Sequence, residues 1–570
     1  MREELTQRLG RNCGTPSIAP VGGPMADYGD VPPLPSDRLR PWLDGLFPQH
    51  ANTEGQTDWQ KIACALAARN AFTIITGGPG TGKTTTVVRL LAVLQALKLG
   101  NSAHDIGAFR PLRIRLAAPT GKAAARLNES IAKSIQQLPL VGFAGAEAIR
   151  TAIPVKVSTL HRLLGSRPDT RRFRHHAGNP LALDVLVIDE ASMVDLEMMA
   201  AVLEALPRSA KLILLGDKDQ LASVEAGAVL GELCQRARDG HYLPATVEWL
   251  RAVTGQRIGS ALIDEGGTGF DQSVVMLRHS HRFASGSGVG QLASVVNEGD
   301  VVAAEKIFRE GRADLAWLRI SEQDDDAFRT LVLDGGSGAG ATAHLSYRPE
   351  NASGNTRQGY RHYLETMRYN RPGLHSTQQD LDEWARSVLR AHGRFQLLCA
   401  LRKGPWGVEG LNRRIADLLA EAGLIPRTGG WYAGRPVLIT RNDYGLGLMN
   451  GDIGITLPLA NALGEADGLR VAFSAGDASQ GIKWAMPSRL QSVETVYALT
   501  VHKSQGSEFE HVALVLPDRV NPILTRELLY TGITRAREGF TLISTGDRGV
   551  LEAAITHRVL RHSGLQRLAC

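Results

Sequence analysis

Residues 72–97 read FTIITGGPGTGKTTTVVRLLAVLQAL. The first five residues, FTIIT, are apolar or β-branched, which is typical of a buried strand. A glycine-rich turn follows, and apolar residues then recur with helical spacing in TTVVRLLAVLQAL. A strand, a glycine turn and a helix in succession are the start of a parallel α/β unit. We therefore predict an α/β fold that contains this segment.

The same order of elements recurs further along the chain. Short apolar segments that end in polar residues precede helical patterns at RIRLAAPT (113–120), LALDVLVIDE (181–190) and KLILLGD (211–217). This alternation predicts a doubly wound parallel sheet with helices on both faces. Functional residues of such sheets lie beyond the carboxyl ends of the strands.

Later segments predict a second α/β domain with an insertion. Strand-like segments include HVALVLP and FTLIST, whereas the region before them contains short β-runs separated by Asn-Asp, Gly-Leu-Gly and Asn-Gly turns. Residues 320–395 carry little signal and are predicted as mixed helix and loop. The predicted boundaries are a short N-terminal region at 1–50, a first domain at 51–272 with a small insertion at about 151–182, a second domain at 273–402 and 491–570, and an inserted β-domain at 403–490.

Composition narrows the class of protein only slightly. The net charge is +6, with a pI near 9.1, which permits a polyanionic partner without requiring one. The five cysteines have no paired spacing, so neither a zinc site nor a disulfide framework is predicted. The charged start MREELTQRLG and the absence of a long apolar run predict a soluble, intracellular protein without a membrane association.

The glycine turn predicts a nucleotide site. GGPGTGKT (77–84) matches the pattern G-x-x-x-x-G-K-[ST] between a strand and a helix, where backbone N–H groups surround phosphate oxygens. Lys83 would reach the β- and γ-phosphates, and Thr84 would offer its hydroxyl to Mg²⁺. A turn without a ligand is a much weaker interpretation of the full pattern. The predicted ATP contacts are Gly77, Gly78, Pro79, Gly80, Thr81, Gly82, Lys83, Thr84 and Thr85.

An acidic pair supports this prediction. LVIDEAS (186–192) ends an apolar strand with Asp189 and Glu190. Asp189 is predicted to hold Mg²⁺, and Glu190 to orient or deprotonate the attacking water. An isolated Asp-Glu pair is usually a solvated strand end. After a P-loop and on another strand of a parallel sheet, the pair is instead predicted to be catalytic.

Further motifs occur in a fixed order and indicate a helicase. Together they resemble the motifs of superfamily 1 helicases over about residues 56–545. Within that superfamily, their sequences are most similar to those of the RecD family. The motifs that carry this resemblance are WQK (59–61), APTGKAAARL (118–127), STLHRLLG (158–165), HHAGNPL (175–181), LLGDKDQLASVEAGAVLGEL (214–233), HSHRF (279–283), NGDIGI (450–455), TVHKSQGSEFEHVALVLP (500–517) and YTGITRAR (530–537).

The resemblance implies two RecA-like P-loop NTPase motor domains, ATP in the cleft between them, and a small SH3-like β insertion in the second domain. It implies that Gln60 reads the adenine edge and that Gln220 couples the γ-phosphate to domain closure. Gly506 and Glu508 would line the cleft from the second domain. Arg282 and Arg535 would come from the second domain as arginine fingers that stabilise the transferred phosphoryl group.

The resemblance also implies an activity and partners. Members of the family move 5′ to 3′ along a DNA strand within RecBCD, the exodeoxyribonuclease V of bacterial cytoplasm, which processes DNA ends in recombinational break repair. Expected partners are therefore single-stranded DNA, duplex DNA ends, and the RecB and RecC subunits, with the nuclease centre in another chain. The expected DNA contacts are Thr120, Lys122, Thr159, His161, His502 and Lys503.

Three alternatives remain open from the sequence. The chain could be a regulatory subunit that binds ATP without motor activity, a free-standing RecD-like helicase, or, with less support, an RNA helicase. Family members usually carry a longer segment before LDGLFP (43–48), so a truncated partner-docking domain is expected at 1–50. The basic patch RRFRHH (171–176) is either a solvated loop or a DNA-contacting element.

Overall fold

The computed structural model describes residues 1–9, 36–48, 56–99, 110–140, 143, 145–167, 170, 172–222, 229–283, 286–320, 326–336, 357–373, 376–443, 445–459, 468–475 and 481–559. The Pro/Gly-rich composition of residues 14–36 predicts loop or disorder, and nearly all of this stretch lies outside the described residues. Arg171 of the basic patch also lies outside them. The chain forms two compact units. The first comprises Met1–Lys218 and Ala222–Arg282, and the second comprises Asp219–Leu221 and Phe283–Val559.

The first unit contains a six-stranded parallel sheet with helices around it. Its strands are β1 Phe72–Gly77, β2 Ile114–Ala118, β3 Val157–Thr159, β4 Val185–Ile188, β5 Lys211–Gly216 and β6 Val274–Leu277, in the order β3-β2-β4-β5-β1-β6. Its helices are α1 Arg2–Leu9, α2 Ser36–Leu46, α3 Trp59–Arg69, α4 Lys83–Leu99, α5 Gly121–Gln136, α6 Ala146–Ala152, α7 Leu160–Leu164, α8 Leu196–Ala205, α9 Val229–Leu233 and α10 Pro244–Thr254.

The second unit contains a five-stranded parallel sheet. Its strands are β7 Leu315–Arg319, β8 Phe395–Cys399, β14 Ala498–Thr500, β15 Phe509–Val515 and β16 Ala536–Ser544, in the order β14-β8-β15-β16-β7. The helices of this unit are α11 Gly288–Glu298, α12 Val301–Arg309, α13 Asp326–Asp334, α14 Tyr360–Tyr369, α15 Gln378–His392, α16 Val408–Glu421, α17 Arg526–Ile533 and α18 Arg548–Thr556.

A separate antiparallel sheet is inserted into the second unit. It consists of β9 Pro436–Ile439, β10 Ile453–Leu459, β11 Gly468–Ser474, β12 Ile482–Ala485 and β13 Val493–Thr495, in the order β12-β11-β10-β9-β13. The predicted α/β class, with two parallel-sheet domains and a small β insertion in the second, is confirmed by this architecture.

Two boundaries differ from those predicted. Strand β6 pairs in parallel with β1, so the first unit extends through Arg282 and does not end at residue 272. Helix α16, which was assigned to the β insertion at 403–490, buries Leu411, Ile415 and Leu419 in the core of the second unit. Their helical spacing creates an apolar face that needs a partner, and the parallel domain provides it.

The described parts of the N-terminal region are helical. Leu5 of α1 packs into a core cluster of the first unit and is 1% exposed. Leu39, Leu43 and Leu46 of α2 are fully buried in a second cluster of that unit. These helices are therefore structural parts of the first unit. No helix within the described residues has the length and apolarity needed to cross a membrane.

Candidate nucleotide and DNA site

The glycine turn connects β1 to α4. Gly80 and Gly82 have φ angles of +73° and +80°, which glycine adopts without the steric cost that a Cβ atom brings. Lys83 begins α4, and its Nζ donates to the carbonyl oxygens of Gly77 (2.6 Å) and Gly78 (2.9 Å). The ammonium group therefore lies inside the turn, where phosphate oxygens could replace these two carbonyl acceptors.

Helix α3 brings Gln60 against this turn. Asp58 caps α3 by accepting a hydrogen bond from the Lys61 backbone nitrogen at 3.0 Å, which fixes the start of the helix. Gln60 Nε2 donates to the Thr81 carbonyl oxygen at 3.1 Å. A Cβ atom added to Gly82 would lie 2.2 Å from Gln60 Nε2. The predicted adenine-reading residue therefore contacts the phosphate-binding turn.

Arg282 lies in the first unit, which corrects its predicted origin in the second domain. Because β6 runs parallel to β1, the residues that follow β6 emerge beside the glycine turn. The His281 backbone nitrogen donates to the Gly80 carbonyl oxygen at 2.8 Å, and Ser280 Oγ donates to the Pro79 carbonyl oxygen at 2.9 Å. These two contacts, which the sequence did not suggest, place Arg282 next to Gly80.

Asp189 and Glu190 follow β4, as predicted. The Glu190 backbone nitrogen donates to Asp189 Oδ1 at 2.9 Å, and Glu190 has a φ of +52°, which is rare for a residue other than glycine. Burial, together with the neighbouring Glu190 carboxylate, raises the pKa of Asp189 to about 6, although the hydrogen bond from the Glu190 backbone nitrogen and the Lys83 charge act in the opposite direction. Glu190 thus belongs to the strained residues that occur often at active sites.

The oxygen donors near the turn fit a divalent metal ion. The Thr84 hydroxyl and the Asp189 carboxylate are hard oxygen ligands, and a divalent cation would compensate the burial of the Asp189 charge. Among the described residues, no group of three or more His, Cys, Asp or Glu side chains could hold a metal ion.

The predicted DNA contacts of the first unit lie at two neighbouring strand ends. Thr120, after β2, caps α5 by accepting a hydrogen bond from the Ala123 backbone nitrogen at 3.2 Å, and Thr159, at the end of β3, caps α7 in the same way. Strands β2 and β3 are parallel neighbours, so both caps lie at the same edge of the sheet. His161 is exposed, and Lys122 is half-buried.

Three predicted residues of the second unit lie around the start of β15. Arg535 is 3% exposed, and it donates to the carbonyl oxygens of Thr531 and Ser507, both at 3.2 Å. Glu508 accepts a hydrogen bond from Arg537 Nε at 3.0 Å, and Gly506 has a φ of +72°. Arg535, which directly precedes β16, therefore joins α17 to the segment that leads into β15.

Gln220, His502 and Lys503 also group with the second unit. Gln220 is 8% exposed, and the following residue, Leu221, accepts a hydrogen bond from Gln505 Nε2 at 2.8 Å. His502 and Lys503 form a 3₁₀ turn directly after β14. Lys503 Nζ donates to Glu494 Oε2 at 2.8 Å, a contact that the sequence analysis missed because no motif contains Glu494.

The chain is similar in sequence to known proteins. Residues 60–226 match the AAA domain family, and residues 495–543 match the UvrD-like helicase C-terminal domain. The RecBCD enzyme subunit RecD of Haemophilus influenzae is 37% identical over 537 residues, which cover 93% of this chain and 75% of that protein. The corresponding subunit of Mycolicibacterium smegmatis is 38% identical, over 89% of this chain and 74% of that protein.

More distant proteins are also similar. The ATP-dependent RecD2 DNA helicase of Deinococcus radiodurans is 27% identical over 92% of this chain and 53% of that protein. A solved Pif1 helicase from Bacteroides, in complex with ADP-AlF3 and ssDNA, aligns with 91% of this chain and 97% of that chain at 15% identity. Its TM-score of 0.39 is too low to support a structural argument. On the identity and coverage of its RecD relatives, the chain belongs to the RecD family of ATP-dependent DNA helicases.

Proposed function

We propose that this chain hydrolyses ATP with Mg²⁺ in order to move 5′ to 3′ along a DNA strand as the RecD subunit of a RecBCD enzyme. The Lys83 ammonium group carries the proposal, because its hydrogen bonds to the Gly77 and Gly78 carbonyl oxygens hold it inside the glycine turn. Its charge also lowers the pKa of the Asp189 carboxyl, which supports a position of that carboxyl nearby. Phosphoryl transfer from a nucleotide requires an ammonium group that binds the phosphates and a carboxylate that holds the metal ion, and Lys83 and Asp189 would supply these two charges.

The first unit supplies the residues for nucleotide chemistry. Lys83 exchanges the Gly77 and Gly78 carbonyl oxygens for β- and γ-phosphate oxygens, to which the backbone N–H groups of the turn also donate. Thr84 and Asp189 hold Mg²⁺, which supplies positive charge for the phosphate oxygens. Glu190 orients the attacking water and accepts its proton. Gln60 recognises the adenine edge through its side-chain amide.

Further residues couple hydrolysis to movement. Arg282 and Arg535 supply positive charge that stabilises the transferred phosphoryl group, whereas Gln220, Gly506 and Glu508 respond to the presence of the γ-phosphate. Donors from both units bind the phosphates of a single DNA strand, more tightly in one nucleotide state than in the other. The proposed DNA-binding residues are Thr120, Lys122, Thr159, His161, His502 and Lys503.

Assembly is part of the same proposal. The relatives from Haemophilus influenzae and Mycolicibacterium smegmatis are RecBCD enzyme subunits, so RecB and RecC are the partners we propose for this chain. We expect it to act with them on single strands and duplex ends of bacterial chromosomal DNA in the cytoplasm, during recombinational repair of double-strand breaks.

The first test compares ATP hydrolysis with and without single-stranded DNA in three proteins. Lys83→Gln should abolish DNA-stimulated hydrolysis, whereas Lys98→Gln at the exposed far end of α4 should retain it. Binding of ATP without any stimulation by DNA in the unmodified chain would contradict motor activity and favour a regulatory subunit. Stimulation by RNA but not by DNA would assign a different substrate.

A second test addresses the arginine residues. Arg535→Ala should reduce kcat by a factor on the order of 10³ or more, as expected for an arginine finger, while KM for ATP changes little. Arg519→Ala is the matched control, because the Arg519 side chain is 91% exposed. A rise in KM at constant kcat would instead show that Arg535 contributes only to ground-state binding.

A further inference from the structure

A cleft of about 370 Å³ lies on the first unit near the amino-terminal ends of β2, β3 and β4. This volume falls within the range of ligand-binding clefts in proteins. Its position differs from that of the glycine turn and Asp189, which follow the carboxyl ends of β1 and β4. Its floor is apolar and includes Leu181 and Leu183, and its polar lining residues are Arg115, Lys156, Ser158, Arg162 and His175.

Three cations of the cleft have no counterion among the described residues. Arg115, Lys156 and Arg162 are exposed, and within the described parts of the chain no ion pair or side-chain hydrogen bond involves their charged groups. None of the described residues that line the cleft is acidic. The nearby carboxylate of Asp184 is bound by Arg113, whose Nη2 lies 2.8 Å from Asp184 Oδ1, and this contact lowers the pKa of Asp184.

The fold determines where these cations lie. Arg115 lies between the buried residues Ile114 and Leu116 of β2, so its side chain points out of the core. Lys156 immediately precedes β3, which is the edge strand of the sheet. His175 is held by its backbone nitrogen, which donates to the Leu164 carbonyl oxygen of α7 at 3.0 Å. Separate segments therefore contribute positive charge to a single cleft.

Two residues that line the cleft adjoin, in sequence, the proposed DNA contacts of the first unit. Ser158 directly precedes Thr159 in β3, and Arg162 directly follows His161 in α7. Exposed Arg172 and Arg174 extend the positive charge into the loop that carries His175. A row of cations that continues beyond one cleft suits a chain of regularly spaced phosphates better than it suits an isolated anion.

We propose that this cleft is an accessory DNA-binding site that holds phosphates adjoining those at Thr159 and His161. The proposal rests on the proposed DNA-translocating function. The guanidinium groups of Arg115 and Arg162 can each donate two hydrogen bonds to one phosphate, while Lys156 contributes a point charge and Ser158 a hydroxyl donor. An acidic segment of a partner protein is the competing occupant, and DNA is favoured because Ser158 and Arg162 adjoin the proposed DNA contacts Thr159 and His161 in sequence.

The experiment measures the salt dependence of DNA binding by the full chain, with fluorescence anisotropy of a labelled oligo(dT). The variant combines Arg115→Gln, Lys156→Gln and Arg162→Gln, and a second variant, Arg115→Lys with Arg162→Lys, keeps the charges. A control variant combines Lys306→Gln, Arg371→Gln and Arg427→Gln, three exposed cations of the second unit, so that the change in net charge is the same.

Loss of three phosphate contacts should reduce the slope of log K against log salt concentration by about 2, since each contact with a single strand contributes about 0.7. The charge-keeping and control variants should retain the slope of the unmodified chain. Hydrolysis of ATP without DNA should be the same in all four proteins, because the cleft lies away from the glycine turn.

Equal slopes in the triple-glutamine variant and the unmodified chain would overturn the accessory site. Unchanged DNA binding together with weaker capture of RecB and RecC would assign the cleft to an acidic protein surface and would also overturn it. If the unmodified chain itself does not bind oligo(dT) or respond to it, the proposed function fails. That outcome is distinguishable from failure of the accessory site alone, which leaves DNA-stimulated hydrolysis intact.

Discussion

Lys503 Nζ lies 2.8 Å from Glu494 Oε2 and so connects the 3₁₀ turn after β14 to strand β13 of the inserted sheet. Glu494 also accepts a hydrogen bond through Oε1 from Arg402 Nη2, at 3.1 Å. One carboxylate of the insertion thus binds two cations of the parallel domain. Because Lys503 is a proposed DNA contact, DNA phosphate has to compete with Glu494 for its ammonium group.

Replacement of Glu494 should therefore strengthen DNA binding. In Glu494→Gln the negative charge is removed and Lys503 becomes available to phosphate, so we expect a rise in affinity for single-stranded DNA of at most about five-fold. The effect is small because the two side chains are 39% and 31% exposed and partly screened by solvent. Equilibrium binding at low salt would measure it, with Glu421→Gln, an exposed carboxylate paired with Arg329, as control. Weaker binding would show that Glu494 positions Lys503 productively.

Gly80 should tolerate no side chain. A Cβ atom at this position would lie 2.2 Å from Arg282 Cβ and 2.9 Å from the Arg282 backbone nitrogen, at a φ of +73°. Gly80→Ala must shift either the glycine turn or the segment after β6, so ATP affinity should fall by at least about ten-fold, or roughly 1.4 kcal/mol. Titration with a fluorescent ATP analogue would measure this loss. Gly259→Ala is the control, since a Cβ atom there meets nothing within 4 Å, and equal affinities in the two variants would contradict the prediction.

Arg8 should anchor α1 to the first unit. Its side chain is 1% exposed, and its guanidinium donates to the carbonyl oxygens of Leu206, Pro207 and Ala210 at 3.2, 3.1 and 2.7 Å. Arg8→Met leaves these acceptors without their donor and should cost roughly 2 kcal/mol.

Amide hydrogen exchange across α8 and β5 should accelerate by about 30-fold in Arg8→Met. The reason is that the free energy of local opening falls by the roughly 2 kcal/mol that the lost hydrogen bonds contributed. Arg38→Met, an exposed arginine of α2, is the control and should leave exchange unchanged. Exchange that accelerates only in α1 would show that this helix detaches without loosening the segment to which it binds.

His392 should make the second unit less stable at acidic pH. Burial lowers the pKa of His392 from 6.5 to about 4, and its ring packs against Tyr360 and Tyr363. Between pH 6.5 and 4 the unfolded chain binds a proton at this position that the folded chain does not bind. The free energy of unfolding therefore rises with pH across this window, and His392 costs about 2 kcal/mol at pH 5 relative to pH 7.

His392→Phe should remove that part of the pH dependence. Urea unfolding followed by tryptophan fluorescence, at pH 5 and at pH 7, would measure the difference between the variant and the unmodified chain. His161→Gln is the control, because it also replaces a histidine but at an exposed position. An unchanged difference between the two pH values in His392→Phe would show that other buried groups, such as His511, account for the acid sensitivity.

Local patterns were sufficient to predict much of the fold and the nucleotide turn. The segment around Lys83 combines a β-branched strand, glycines with obligatory positive φ and an apolar helix, and each of these preferences acts within a few residues. The Asp189-Glu190 pair was predictable for the same reason, because it directly follows a buried apolar strand. The inserted sheet was predictable from its turns. The start of the insertion was not, because α16 is amphipathic and its apolar face could have packed against either the inserted sheet or the parallel domain.

The sequence by itself determined the elements, the glycine turn and the family, because these depend on residues that are near one another in the chain. Only the tertiary structure decided that β6 pairs with β1, and with it that Arg282 lies beside Gly80 in the first unit. The ion pair between Lys503 and Glu494 likewise forms only in the tertiary structure. The same is true of the cleft, whose cations come from separate segments of the chain. Sheet order and long-range ion pairs depend on which distant segments pack against each other in the folded chain. A pattern of residues that are neighbours in sequence does not predict that packing.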